Sequence, residues 1–495
     1  MASAYENALI GDFDGEDGTA GVGTLRRSMA FAAGLAVHPV TLDDVSDTPD
    51  LAGSLTCLQE VRSASVSFRK DAVEGWLAKH RRCHAPGESR SRIALALSEA
   101  WVALQGAPTA GLIAHLAELE RASRQAGFAE LLLEAASLRA LAAAADDRPQ
   151  ATQLARRASR MSRTESMPQL EYLANLTLAA LRRLNGEPHL AARIVGAIRR
   201  VAPPLWHGWC DWELLLAGVR PEGQHRTTRT LTAWLDGRMR GETEQDRSLA
   251  ALAEGLPHSI RHIDLVLAAL SPAAETEQAW LSGRVDDLPG ELCGLARLRG
   301  PAPADESALA YVYVNERGRA RRFLPLGYAP LGHPLPQGRR KQARTAALVS
   351  TLALANGAAC PVEETFERIY GFAYQPEIHH SVFNVLIHRA RKYLEQVGEI
   401  ARDELGLSLR LERPILVPDP RCFPPEHDRV LQAIAAYAAP LTAKDASSAA
   451  GVSLRVAQIA LKELVEDGFC RLEKSGRESR YVVEDTTFRE PTVHR

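Results

Sequence analysis

Residues 376–395, PEIHHSVFNVLIHRARKYLE, decide how the chain is read. Apolar residues fall at Ile378, Val382, Leu386, Ala390 and Leu394, a spacing that predicts a long helix with one buried stripe. His379, His380, His388, Arg389, Arg391 and Lys392 lie largely off that stripe. Cations and hydrogen-bond donors on the open side of a helix suit phosphates and base edges. A basic face that is merely solvated stays open as the alternative.

Upstream, RRKQARTAALVSTLALANG predicts a helix ending at Gly357, and VEETFERIYG a second one introduced by Pro361 and stopped at Gly371. Before them, YVYV (311–314) and RRFLPL (321–326) predict strands, and a hairpin of LSLRL (407–411) with ILVP (415–418) follows the long helix. Tyr311 to Arg421 holds sixteen Lys or Arg against eleven Asp or Glu, so this segment is locally basic. Arg339, Arg340, Lys341 and Arg344 gather at the start of the first helix, a position suited to phosphates.

The order of elements resembles OmpR/PhoB-type winged-helix domains. It is also similar to the related domain of actinobacterial antibiotic regulators that carry helical-repeat modules. The likeness rests on FNVLIHRARKYLE, with Ile387, Arg389, Arg391, Lys392, Leu394 and Glu395 in the family frame, and on the Tyr370-Gly371 that closes the second helix. It implies that residues 305–420 form a winged helix whose third helix enters a major groove of double-stranded DNA. One departure stands out: the places that are usually polar and face the bases fall on Val382, Val385 and Leu386. Such an edge hydrogen-bonds poorly, so contact through phosphates or a protein partner is open.

A second unit is expected over 425–486. HDRVLQAIAAYAA and LTAKDASSAAG predict two helices, Ser453 N-caps SLRVAQIALKELVEDG, and FCRLEKSGRESRYVVE reads as strand, turn, strand. It resembles MarR/GntR-like winged helices through Leu441-Thr442, Ala446, Ala450-Gly451-Val452-Ser453, Leu461, Leu464, Gly468 and Arg480-Tyr481. Ser453, Arg455, Gln458 and Lys462 are expected to point into a groove, and Lys474, Arg477 and Arg480 on the wing to meet the backbone or a minor groove. This unit is nearly neutral, so the first domain or homodimer formation would have to strengthen binding. Residues 487–495 read as a tail.

From 66 to 300 the pattern is helical. Turns at Gly106-Ala107-Pro108, Asp146-Asp147-Arg148-Pro149 and Gly186-Glu187-Pro188 place their prolines 41 and 39 residues apart, the period of stacked helical hairpins. LRRLNGEPHLAARIVGAIRRVAP resembles a tetratricopeptide repeat in Gly186, Ala191 and Pro203, which implies a surface for a protein partner. An all-helical bundle without a ligand is the alternative. Residues 1–65, with nine Asp or Glu against two Arg in the first fifty, predict a flexible acidic arm with a short helix near Thr24–Leu35.

The expected fold class is mainly α, with a helical repeat followed by two winged helix-turn-helix domains. The acidic start offers no secretory signal and no run of eighteen apolar residues is present, so a cytoplasmic location without membrane contact is expected. Seven scattered cysteines without a C-x-x-C pair argue for reduced thiols and against a zinc site or a disulfide frame. No phosphate-binding glycine loop, dinucleotide fingerprint, nucleophile elbow or H-E-x-x-H is found, and no cofactor is expected. His258 with His262, and His380 with His388, have metal-compatible spacing but no third ligand. Function is therefore expected to be non-enzymatic regulation of transcription. A protein-binding adaptor is the second class, and an enzyme using Trp206, His207, Trp209 and Asp211 the third.

Overall fold

A computed structural model describes residues 20–35, 37–239, 244–261, 311–314, 320–323, 329–330, 341–395, 397–412, 415–419, 421–423, 426–437, 439–475 and 478–483. These are mainly helical, with a few small antiparallel sheets. They fall into two compact units, one holding the residues up to 261 with 466–469, the other holding 311–465 and 470–483. The expected boundary near residue 300, the tail and both ends of the Pro-rich linker lie outside the described residues.

In the first unit, α1 (Ala20–Ala32) precedes five helical hairpins: α2 (Leu51–Val66) with α3 (Lys70–Cys83), α4 (Ser89–Ala103) with α5 (Ala110–Ala126), α6 (Ala129–Ala143) with α7 (Arg148–Thr164), α8 (Pro168–Leu184) with α9 (Pro188–Val201), and α10 (Pro204–Leu216) with α11 (Arg226–Met239). Two short helices, α12 (Asp246–Ala253) and α13 (His258–Arg261), follow. The leading helices begin at residues 51, 89, 129, 168 and 204, and each packs on the next leading helix as well as on its own partner. Pro149 and Pro188 sit in the first turn of the trailing helices, where a missing N–H costs nothing. Pro108 instead precedes the N-cap Thr109, whose hydroxyl accepts from the Leu112 amide.

The acidic arm expected over 1–65 needs correction from residue 20 onward. The short helix is present, but α2 is buried along almost its whole length and has α1, α3, α4 and α10 packed on it. Its sequence, LAGSLTCLQEVRSASV, is rich in Ala, Gly and Ser, which let neighbouring backbones close in from every side. Among the described acidic residues, Asp50 caps α2 and Asp44 pairs with Arg27. Residues 1–19 lie outside the described residues.

Burial inside this unit includes a polar cluster that titrates. Ser54 Oγ lies 2.6 Å from His80 Nε2, Ser98 Oγ lies 2.9 Å from His80 Nδ1, and the Ser91 hydroxyl donates to Ser54 Oγ at 2.8 Å. Burial above all, then the nearby His84 charge, pushes the imidazole from its ordinary 6.5 down to about 3. Below that ordinary value the unfolded chain takes up a proton that the folded chain refuses. Stability from this group is thus complete above the unfolded value and lost as the solution is acidified. Lowering the pH from about 7 to about 5 is expected to remove about 2 kcal/mol. Thermal melts of the parent and of His80→Asn check this; equal acid slopes in the two would reject it. None of the cysteines seen in the described core forms a disulfide, and the Cys57 and Cys83 sulfurs share a hydrogen bond at 3.5 Å.

In the second unit, β1 (Tyr311–Val314) lies between β2 (Ala320–Phe323) and β6 (Ile415–Pro418), antiparallel to both. Helices α14 (Lys341–Leu354), α15 (Val362–Tyr370) and α16 (Pro376–Leu394) follow β2 and the short β3 (Ala329–Pro330). Then β4 (Gly398–Asp403) and β5 (Gly406–Leu411) form a hairpin, and β7 (Cys422–Phe423) pairs with β3. This corrects the expected hairpin of LSLRL with ILVP. Asp403 Oδ1 accepts from the amides of Leu405 and Gly406, so the turn closes before LSLRL, and ILVP returns to YVYV. Val312, Leu348, Phe366, Phe383, Leu386, Ile387, Leu409 and Val417 share one core. Beside it, the buried Arg421 guanidinium donates to Asp419, to Thr351 Oγ1 at 2.7 Å and to Ser350 Oγ at 3.2 Å.

The remainder of this unit runs α17 (Glu426–Ala435), β8 (Leu441–Thr442), α18 (Ala443–Ala450), α19 (Leu454–Glu466), β9 (Cys470–Ser475) and β10 (Glu478–Val483), with sheet order β8-β10-β9. Thr442 and Asp445 form a reciprocal capping box at the start of α18. Those bonds from Thr442 hold the Asp445 carboxyl below its ordinary range. Gly451 takes φ +63° to turn the chain into α19. Arg429 donates to the carbonyls of Ala450 and Gly451, so α17 clamps that turn.

Candidate nucleic-acid interface

Aromatic packing sets the rotation of α16. Phe366 of α15 meets Phe383 edge-on at 5.5 Å and Tyr374 at 5.2 Å. Phe383, Leu386, Ile387, Ala390 and Leu394 are consequently the buried residues of α16. Ile378 and Val382, expected in the buried stripe, are instead 65% and 52% exposed, and Val385 is 48% exposed. The outward stripe reads Ile378, Val382, Val385, Arg389, Lys392, at steps of four, three, four and three. Ser381 and His388 flank it and are also exposed.

The expected contact residues therefore divide. Arg389, Lys392 and His388 are exposed on the outward side. His379 is not available: its ring stacks on Phe366 at 4.8 Å, and Nδ1 accepts from the Gln375 amide, which plugs the start of the helix. His380 is exposed and hydrogen-bonded to the Tyr374 hydroxyl. Arg391 spends its Nε–H on the Ile400 carbonyl, tying α16 to the hairpin. Arg344, expected near phosphates, lies half-buried with its guanidinium 4.7 Å from the Tyr370 ring centre. Burial raises the Tyr370 phenol, and the Arg344 charge opposes that shift. Arg339 and Arg340 fall outside the described residues, as does the side chain of Lys341.

The hairpin contributes little positive charge at its tip, where Asp403 and Glu404 are exposed.

On α19, Ala457, Ala460, Leu461 and Leu464 are buried. Arg455, Gln458, Ile459 and Lys462 are exposed along the opposite face. Ser453 Oγ accepts from the Val456 amide, so it caps the helix as the sequence suggests. Lys474 is exposed on the hairpin, and Arg477 lies outside the described residues. Arg480, expected on the wing, lies on β10 of the hairpin. It pairs in register with Thr442 at the base of the sheet and donates to Glu478.

Val382 and Val385 are exposed where the resemblance implied base-facing positions, whereas Leu386, expected with them, is buried; what sequence reasoning missed is the exposure of Ile378 on α16 and of Ile459 on α19. Only the rotation fixed by Phe366 separates the outward set from the buried one.

Elsewhere, the residues considered for catalysis lie on α10. Trp206 and Trp209 are fully buried, His207 Nε2 lies 3.0 Å from the Ala202 carbonyl oxygen, and Asp211 accepts from Arg199 at 2.9 Å and from Thr228. Burial lowers the His207 imidazole. No group of three metal-ligating side chains occurs among the described residues, and none of the described helices is long and apolar enough to cross a membrane. No family model, curated protein or solved structure matches the chain.

Proposed function

We propose that this chain regulates transcription by binding double-stranded DNA through two winged-helix units, with a tetratricopeptide-like repeat that engages a protein partner. The observation that carries the proposal is the outward face of the two third helices. Arg389 and Lys392 on α16, and Arg455, Gln458 and Lys462 on α19, are all exposed. Each helix follows a tight turn and precedes a β-hairpin. A helix so placed presents cations to phosphates while its other side anchors in the core.

Fluorescence anisotropy of the full chain on labelled duplex DNA of random sequence tests this. Affinity is expected to fall about a hundredfold or more between ~50 and ~200 mM salt, as counterions released from several phosphates return. Replacing Arg389, Lys392, Arg455 and Lys462 by Ala should flatten the salt slope by close to one for each phosphate that is no longer neutralised. An unchanged slope in that variant removes the helices from the interface. No binding at the lower salt favours the second reading, a protein-protein adaptor, for which the exposed Ile378, Val382 and Val385 speak.

A further inference from the structure

We infer that α16 reads the 5-methyl groups of thymine in the major groove, an inference that rests on the DNA-binding proposal above. Its outward stripe is divided along its length. Ile378, Val382 and Val385 occupy the N-terminal half, and Arg389 and Lys392 the C-terminal half, with no carboxylate on the stripe itself. A helix in a major groove directs its N-terminal residues toward base edges and leaves later ones near the backbone. The apolar half then faces the bases, and the cationic half faces phosphates, which are opposite to it in charge.

The N-terminal half is poor in groups that could read hydrogen-bonding patterns. Asn384 accepts from Arg402 at 3.0 Å, His379 is packed on Phe366, and His380 is bonded to Tyr374. Ser381 remains as an exposed short donor beside the stripe, and Glu377 as an exposed acceptor in the first turn. The thymine C5-methyl is the apolar feature of base edges in the major groove, and aliphatic side chains recognise it by contact. The same composition recurs on α19, where Ile459 is 51% exposed between Arg455 and Lys462. Two helices of unrelated sequence thus combine exposed aliphatic and cationic side chains on one face.

The test begins with selection of bound duplexes from a random pool by the full chain. Recovered duplexes are remade with deoxyuridine in place of thymidine, which removes the methyl groups and leaves base pairing intact. Burying a methyl contributes about a fourfold affinity gain, so loss of two or three should weaken binding about tenfold or more. The variant carrying Val382→Ser and Val385→Ser, both at exposed positions, should bind thymidine and deoxyuridine duplexes equally. Arg389→Ala should weaken both to the same extent and keep the ratio. Equal binding of the two duplexes by the parent chain overturns methyl reading while leaving DNA binding in place. If the selection recovers nothing and no duplex binds at low salt, DNA binding itself fails and the apolar stripe belongs to a protein partner.

Discussion

Replacing Glu134 by Ala is expected to cost the first unit about 3–5 kcal/mol and to lower its melting temperature by roughly 10 °C. Glu134 and its partner Arg62 are 0% and 1% exposed. The carboxylate accepts from Arg62 through Nε at 3.0 Å and through Nη2, and from the Trp101 indole at 2.8 Å. Arg62 also donates to Gln59 at 2.9 Å, and Gln59 donates to Gln169 at 3.2 Å. These five side chains lie on α2, α4, α6 and α8, the leading helices of four consecutive hairpins. Truncation leaves a guanidinium stranded in a low-dielectric core, and the loss is dominated by that uncompensated charge. Changing Arg62→Met and Glu134→Leu together should therefore cost less than Glu134→Ala alone, although the indole and Gln59 lose partners. Thermal and denaturant melts of the three variants decide it. A single variant that melts within two or three degrees of the parent would show that the bridge contributes nothing.

That bridge has no trace in the sequence, because its partners are 72 residues apart and each looks like an ordinary surface residue of a helix. The hairpin period is legible, since proline marks a helix start by local chemistry alone. Residues 51–65 mislead because the acidic charge of the first fifty residues suggests disorder, while the burial of α2 depends on small residues. Their signal is weak in any hydropathy pattern. On α16 the difficulty is phase. Ile378 and Val382 compete with Phe383 and Ile387 for the same periodicity, and only aromatic packing from α15 chooses between them. Strand pairing is obscured for a related reason. Order along the chain puts LSLRL beside ILVP, whereas a side chain–backbone turn at Asp403 and closure of β1 by β6 set the true register.

Gly406→Ala is expected to remove roughly 3–5 kcal/mol from the second unit and, under the proposed function, to abolish DNA binding with it. Gly406 has φ +139°, and a Cβ there would stand 1.9 Å from the Cys360 carbonyl oxygen and 2.9 Å from the Pro361 nitrogen. Those are backbone atoms, so no rotamer relieves the overlap. The same carbonyl accepts from the Leu407 amide at 2.8 Å, and the Cys360 amide donates back at 2.8 Å. A side chain at 406 would therefore part the hairpin from the start of α15. Ile400, Leu407 and Leu409 would leave the core they share with Phe383 and Leu386, and Arg391 would lose the carbonyl that steadies α16. Two further substitutions separate the causes. Gly357→Ala meets φ +83° but nothing within 4 Å, so it should cost only about 1 kcal/mol of backbone strain. Leu405→Ala, at a tip residue 76% exposed, should be close to neutral. Denaturant melts and anisotropy on one DNA duplex check all three. If Gly406→Ala falls within about 1 kcal/mol of Gly357→Ala, the overlap is not the cause and the hairpin does not hold α16 in place.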